Sequence, residues 1–379
     1  MVVVRRVEIV VGRYRPDRDG VSAYVERLVA ALPAVGLRAT VTEWPGVWHF
    51  RPRADSDLVH VQFAPSAYSY SGGIGLAPLG TRLPLVTTLH EYGWWTWTPL
   101  ERPDVLAAAE QRLSRLFERP GRWDRETLLL APASRALVVT GQGHADVVRD
   151  RLGLAARVIP IGANVGVAYP GDRMAARREL GLAADVPLVA FFGFVHPVKG
   201  LRYLIEAVAA LRASSAPGLR IVAVGGWRSL AWPDEEADAF IDELRGLAAD
   251  AGLPDEALTF TGFADEEAAS RWLRAADLAA LPFTHGITAK SGSLLTCWAH
   301  GLPVVATEPP DGPDEDAVGA VLPARPRDAA TLRTALGRLL QDEAERTRLA
   351  AVGAERIASR TWAAVATAHA ALYDEVLGS

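Results

Sequence analysis

The chain has 379 residues, half of them apolar, which is too long for one ordinary core and suits two large ones. A net charge of −5 with 22% charged residues excludes the strongly basic footprint of a nucleic-acid protein. The single cysteine, Cys297, excludes an intramolecular disulfide, and Arg5 and Arg6 precede only a strand-length apolar run, so the expectation is a soluble, cytoplasmic protein with no membrane association.

Charge is uneven along the chain. Through Asn164 there are 20 Arg, no Lys and 16 acidic residues, leaving 20 basic against 29 acidic beyond. Of the 40 basic side chains only Lys199 and Lys290 are lysine, and both stand beside glycine-containing loops. A compact, rotatable ammonium suits a phosphate oxygen in a tight pocket where a guanidinium fork does not fit. Both lysines are therefore candidate phosphate contacts.

Residues 7–11 predict a strand and 12–20 a loop into a helix over 21–32, with Val21, Tyr24, Val25, Leu28 and Val29 on one face. The loop lacks G-x-G-x-x-G, which argues against a dinucleotide site there. Residues 38–43, 57–62, 85–89 and 136–140 read as further strands, and their alternation with helices predicts a parallel, doubly wound sheet. Polar and aromatic residues gather after these strands, where open α/β sheets bind ligands. Trp44, Trp48 and His49 follow the second, Phe63, Tyr68 and Tyr70 the third, and His90, Glu91, Trp94, Trp95 and Trp97 the fourth. Aromatic faces of this kind either stack on ligand rings or pack as a lid; as a group they point to a pocket. His90 is a candidate general base or orienting group beside the Glu91 carboxylate. Arg112, Arg115, Arg119 and Arg122 read as a solvated helix face, because Pro120-Gly121 interrupts the pattern and Glu110 and Glu118 dilute its charge.

From Gly162 to Asp172 the composition is that of a linker, and a second α/β unit follows. Its strands are predicted over 189–192, 221–224, 258–261, 278–281 and 303–306, each ending in a glycine or polar loop, and a helix is predicted over 201–211. Between the last two strands a short helix should begin near Ser291, since Lys290-Ser291-Gly292-Ser293 joins a cation, two hydroxyl caps and a glycine ahead of apolar Leu294 and Leu295. Such a start offers unpaired N–H groups and a positive dipole end, and Gly292 would let a phosphate approach the backbone. Locally, a capped helix with no ligand fits equally well. The last helical piece, over 362–377, is expected to fold back on the first domain.

The run Phe191-Phe192-Gly193-Phe194-Val195-His196-Pro197-Val198-Lys199-Gly200-Leu201, followed by Leu204-Ile205-Glu206-Ala207, resembles a motif of the retaining glycosyltransferases of family 4. The segments at 87–91, 158–162, 258–263, 275–277 and 299–307 follow in the family's order and spacing. The resemblance implies the GT-B fold, two Rossmann-like domains facing across a cleft. It implies an acceptor domain over 1–165 completed by a helix over 361–379, and a nucleotide-sugar domain over 166–360. It also implies transfer of a sugar from a nucleoside diphosphate donor such as a UDP-sugar to a small hydroxylated acceptor, with retention and without a metal or further cofactor. Carried onto this sequence, catalysis falls to His90, Lys199 and Lys290. The donor diphosphate falls to Lys199, Gly200, Lys290, Ser291, Gly292 and Ser293, the sugar and ribose to Thr288 and Thr296, and the nucleobase to Gly262 and Phe263. Gly20, Glu91, Trp94, Trp95 and Trp97 fall on the acceptor side.

Two departures matter. Phe194 stands where the family carries Arg, which removes a cation from the diphosphate. Thr288 and Thr296 stand where it carries two glutamates eight positions apart, and a threonine holds one hydroxyl without charge. A non-catalytic, glycosyltransferase-like partner protein and a nucleotide-sugar epimerase of the same fold are the competing expectations.

Overall fold

A computed structural model of the chain describes all residues except 1–4, 45, 47–49, 69–70, 91, 93–120, 231, 289, 315–316 and 379. The chain divides into two compact units, Met1–Ile161 with Trp362–Ser379, and Gly162–Thr361.

The first unit holds a six-stranded, all-parallel sheet in the order β2-β1-β3-β4-β5-β6. Its strands are β1 (Arg5–Val11), β2 (Leu37–Glu43), β3 (Leu58–Phe63), β4 (Leu85–Leu89), β5 (Ala136–Val139) and β6 (Ala156–Val158). Strands β3 and β4 are buried along their whole length, as a parallel sheet covered on both faces requires. The helix Gly20–Ala31 starts where Asp19 accepts the Ser22 N–H at 2.7 Å, and it buries Tyr24, Val25 and Leu28 against the sheet. Gly20, the first helical residue, is exposed.

The helix Trp362–Gly378 closes one face of this unit, burying Val365, Ala366, Leu372, Tyr373 and Val376 with Ile9, Val25 and Leu28. Two fully buried histidines join it to the sheet and to the helix Gly20–Ala31. His60 of β3 meets the Tyr373 hydroxyl at 2.6 Å through Nδ1 and the Thr88 hydroxyl at 2.7 Å through Nε2. His369 donates from Nδ1 to the Val365 carbonyl at 2.9 Å, which leaves Nε2 to accept from the Tyr24 hydroxyl at 3.3 Å. Each pairing avoids the roughly 1–3 kcal/mol penalty of an unsatisfied buried polar group.

The second unit is likewise all parallel, in the order β12-β11-β10-β7-β8-β9. Its strands are β7 (Leu188–Phe192), β8 (Arg220–Val224), β9 (Leu258–Phe260), β10 (Leu278–Leu281), β11 (Val304–Thr307) and β12 (Leu322–Ala324). Strand β7 has neighbours on opposite sides, β8 and β10, from which the order runs outward in both directions. The carboxyl ends of β7 and β10 therefore flank the switch point of the sheet, the crevice where open α/β sheets bind ligands. The region from Gly162 to Asp172 belongs to this unit, with Tyr169 buried and its N–H on the Ser270 hydroxyl at 3.1 Å.

Of the sequence-predicted features, Trp48, His49, Tyr70, Glu91, Trp94, Trp95, Trp97, Arg112, Arg115 and Arg119 lie outside the described residues. Among those described, no helix is long and apolar enough to cross a membrane.

Candidate functional site

At the switch point of the second unit, β7 runs into Gly193, a loop and a short turn, Pro197–Lys199. Gly200 then takes φ +68°, and a Cβ there would stand 2.0 Å from the Pro282 carbonyl oxygen, so only glycine fits. The loop after β10 is stitched to the same turn, because the Thr284 N–H and hydroxyl both donate to the Val198 carbonyl, at 2.9 and 3.1 Å. These contacts bring the Lys199 ammonium over the Phe283 ring, 3.7 Å from its centroid. Burial pushes the Lys199 amine down to about 8, and no carboxylate pairs with it among the described residues.

The start of the helix Gly292–Ala299 comes to the same place. A Cβ on Gly193, at φ +128°, would lie 2.8 Å from the Ser293 hydroxyl oxygen. The first intrahelical bond runs from Leu295 N–H to the Ser291 carbonyl. The N–H groups of Gly292, Ser293 and Leu294 have no acceptor among the described residues. A half-buried ammonium and a fan of unpaired amides make a site for an anion with several oxygens. Further along the strand ends, Gly225 is in contact with Gly193, Gly226 packs against the backbone of Phe263, and Gly262 lies under Trp227. Phe263 itself is 64% exposed, an apolar face beside the glycine ends of β8 and β9.

A family model described as glycosyl transferases group 1 matches residues 186–342, the segment that builds this site. A D-inositol 3-phosphate glycosyltransferase of Corynebacterium efficiens is 30% identical over 350 residues, covering 87% of this chain and 74% of that protein. The chain belongs to the group 1 glycosyltransferases. The same-named protein of Nocardia farcinica is 31% identical, with 86% of this chain aligned to 66% of its length, so the chain spans just under two thirds of that relative. Sucrose-phosphate synthase of Thermosynechococcus elongatus has the same fold, with a TM-score of 0.70 at 19% identity over 99% of both chains. This membership makes the GT-B class, two parallel α/β units, a property of the chain.

Several residues of this glycosyltransferase stand differently from the sequence expectation. Ser291 occupies the N-cap position, yet its hydroxyl caps nothing. Gly292 does not open the backbone to a phosphate at its α-carbon: the Asn164 side-chain amide fills that space, 2.3–2.5 Å from where a Cβ would be. Thr296, expected at the ribose, is fully buried, and its hydroxyl accepts the Val165 N–H at 3.2 Å. This bond links the helix to the chain after β6. Thr288 is half-buried, with its carbonyl accepting the Ser291 N–H, and Lys290 is half-buried in the turn between them. Asn164 and Phe283 were not among the sequence candidates. Asn164 sits in a stretch whose composition reads as linker, and Phe283 looks like the continuation of an apolar strand.

In the first unit, His90 follows β4, with its N–H on the Phe63 carbonyl at 2.9 Å. Its Nε2 donates to the Gln62 side-chain oxygen at 2.8 Å, and its ring meets Tyr24 edge-on with centroids 4.9 Å apart. Burial holds the imidazole down to about 3, so it is neutral, and with the proton on Nε2 its lone pair is on Nδ1. Gln62 is fully buried, and its side-chain nitrogen has no partner among the described residues. Sequence reading passed over Gln62 because it ends an apolar strand. Gly20, expected on the acceptor side, opens its helix with nothing within 4 Å of an added Cβ. Among the described residues no group of three or more His, Cys, Asp or Glu is arranged to hold a metal ion.

Proposed function

We propose that the chain transfers a sugar from a nucleoside diphosphate sugar to a hydroxyl of a small acceptor, with retention of anomeric configuration. The observation that carries this reading is the half-buried Lys199 ammonium, set on Phe283 at the sheet's switch point without a carboxylate partner among the described residues. Leaving-group charge grows on the diphosphate as the glycosidic bond breaks, and a fixed cation with unpaired helix N–H groups stabilises that charge more than the ground state. The second unit thus takes the donor, with Lys199, Gly200, Ser293 and Lys290 on the diphosphate and Gly262 and Phe263 on the base. The first unit takes the acceptor, with neutral His90 receiving or steering the hydroxyl proton. The names of the relatives point to a phosphorylated cyclic polyol as the first acceptor class to try. The one cysteine, Cys297, is fully buried with its thiol pushed up to about 12, which fits a reducing cytoplasm.

The test is thermal stabilisation by a panel of nucleotide sugars, UDP-sugars first, followed by slow hydrolysis and then by transfer to polyol phosphates, with the product anomer read by NMR. Stabilisation in the parent but not in Lys199→Ala, with a retained anomer, is the expected result. No stabilisation by any nucleotide sugar ends the reading. The uncharged Thr288 and Thr296 favour a second reading, a non-catalytic binder, which predicts stabilisation without hydrolysis or transfer.

A further inference from the structure

The second unit also has a cavity at the opposite end of its sheet, by the start of β10. It lies where the helix Glu266–Ala275 ends, β10 begins, the helix Gly292–Ala299 ends and the helix Glu343–Ile357 starts. Its volume is about 380 Å³, and Arg173, Arg274, Arg346, His300 and Thr347 are among the side chains that line it.

We propose that this cavity binds a small oxyanion of the phosphate class. The deciding observation is Arg274. Its guanidinium makes no hydrogen bond or ion pair among the described residues, and its Nε is buried without a partner. An unpaired guanidinium on the wall of a cavity offers its outer N–H groups to an oxyanion, which would supply the pairing that the described residues do not. Arg346, which also lines the cavity, donates from Nη1 to the Leu339 and Leu340 carbonyls at 2.5 and 3.1 Å and makes no other side-chain hydrogen bond among the described residues.

Two acids also line the cavity, and they differ. Asp277 is already committed: it pairs with Arg173, pairs with Arg177 at 2.8 Å and accepts the Leu188 N–H at 2.8 Å. Glu343 is exposed and forms no ion pair among the described residues, so it is the one acid left to oppose an anion. His300 contributes no charge, because burial lowers its pKa, and both ring nitrogens are used, Nδ1 on the Thr296 carbonyl at 2.8 Å and Nε2 on the Ser270 hydroxyl at 2.9 Å. The helix ends at Ala275 and Ala299 present carbonyls toward this end of the sheet, and the arginine guanidiniums outweigh those partial charges.

The experiment titrates inorganic phosphate into the whole protein by calorimetry at constant ionic strength, with UDP present to fill the donor site, and repeats it without nucleotide in Lys199→Ala. Phosphate should bind the parent, bind Arg274→Met about tenfold more weakly, and bind the exposed-site variant Glu343→Gln more tightly. Lys199→Ala should bind phosphate like the parent, whatever becomes of the donor reading. Glycerol 1-phosphate binding more tightly than phosphate would identify a phosphate ester as the ligand, and equal affinity would identify the free ion. The proposal is overturned if phosphate gives no saturable heat, if Arg274→Met matches the parent, or if Lys199→Ala rather than Arg274→Met abolishes binding. Should Arg274→Met not fold, Glu343→Gln decides the matter alone: unchanged affinity there rejects the site.

Discussion

The Lys199 ammonium and the Phe283 ring are in contact at 3.7 Å, one from the turn after β7 and the other from the loop after β10. Burial brings the amine down to about 8. A free protein above that pH carries a neutral Lys199, and an anion binding there must first recruit a proton. Nucleotide affinity and kcat/KM should therefore fall as pH rises through about 8, with proton uptake on binding between pH 8 and 9. Lys199→Arg should remove that alkaline limb even if it lowers the plateau. An alkaline limb unchanged in Lys199→Arg would assign the titration to another group.

Lys290 should supply the positive charge that Phe194 does not. Its turn leads into the helix whose Ser293 meets Gly193, one residue before Phe194. Lys290→Ala and Lys199→Ala should each cost about 1.5–3 kcal/mol of interaction with the diphosphate, or roughly ten- to hundredfold in donor binding or rate. Adding Phe194→Arg to Lys290→Ala should restore part of that loss. Isothermal titration with nucleoside diphosphate and steady-state rates check both, and affinity and turnover equal to the parent in Lys290→Ala would reject the role.

Gln62 fixes which nitrogen of His90 carries the proton. His90→Ala should lower turnover much more than nucleotide affinity, because its role lies with the acceptor. Gln62→Leu removes the acceptor of the Nε2 proton without touching the donor site, so it should lower turnover by about ten- to hundredfold while UDP binding stays at the parent value. Nitrogen-15 shifts of the imidazole give the tautomer directly. A parent spectrum with the proton on Nδ1 would reject the assignment.

His60 and His369 are held neutral inside the first unit, the former well below its ordinary value and the latter down to about 4, in both cases chiefly by burial. In the unfolded chain both take up protons near pH 6.5. The unfolded state thus binds more protons below that pH, and folding stability must fall as pH falls from about 6.5 toward 4, by about 1.4 kcal/mol per pH unit for each histidine, with no change above pH 7. Urea unfolding of the whole protein at pH 7, 6 and 5 reads this slope. Replacing His369 with Gln should flatten it, and a slope equal to the parent's would show that the acid sensitivity arises elsewhere.

The sequence by itself determined the strands and their parallel class, because runs such as Leu278–Leu281 and Leu188–Phe192 are apolar along both faces and bounded by proline, glycine or polar residues. It also singled out Lys199 and Lys290, the two lysines of a chain that uses arginine for every other side-chain cation. Only the tertiary structure decided which residues meet. Gly193 against Ser293, Asn164 against Gly292 and Thr296 on the Val165 N–H join positions about 100 to 130 residues apart, and no local spacing encodes such contacts. The same holds for His60 and Tyr373, and for Gln62 and His90, whose polar ends are buried at sites that an apolar strand pattern hides. Burial and pairing depend on strand order and register, and these are set when helices pack on both faces of a sheet, not by the order of residues along any one strand.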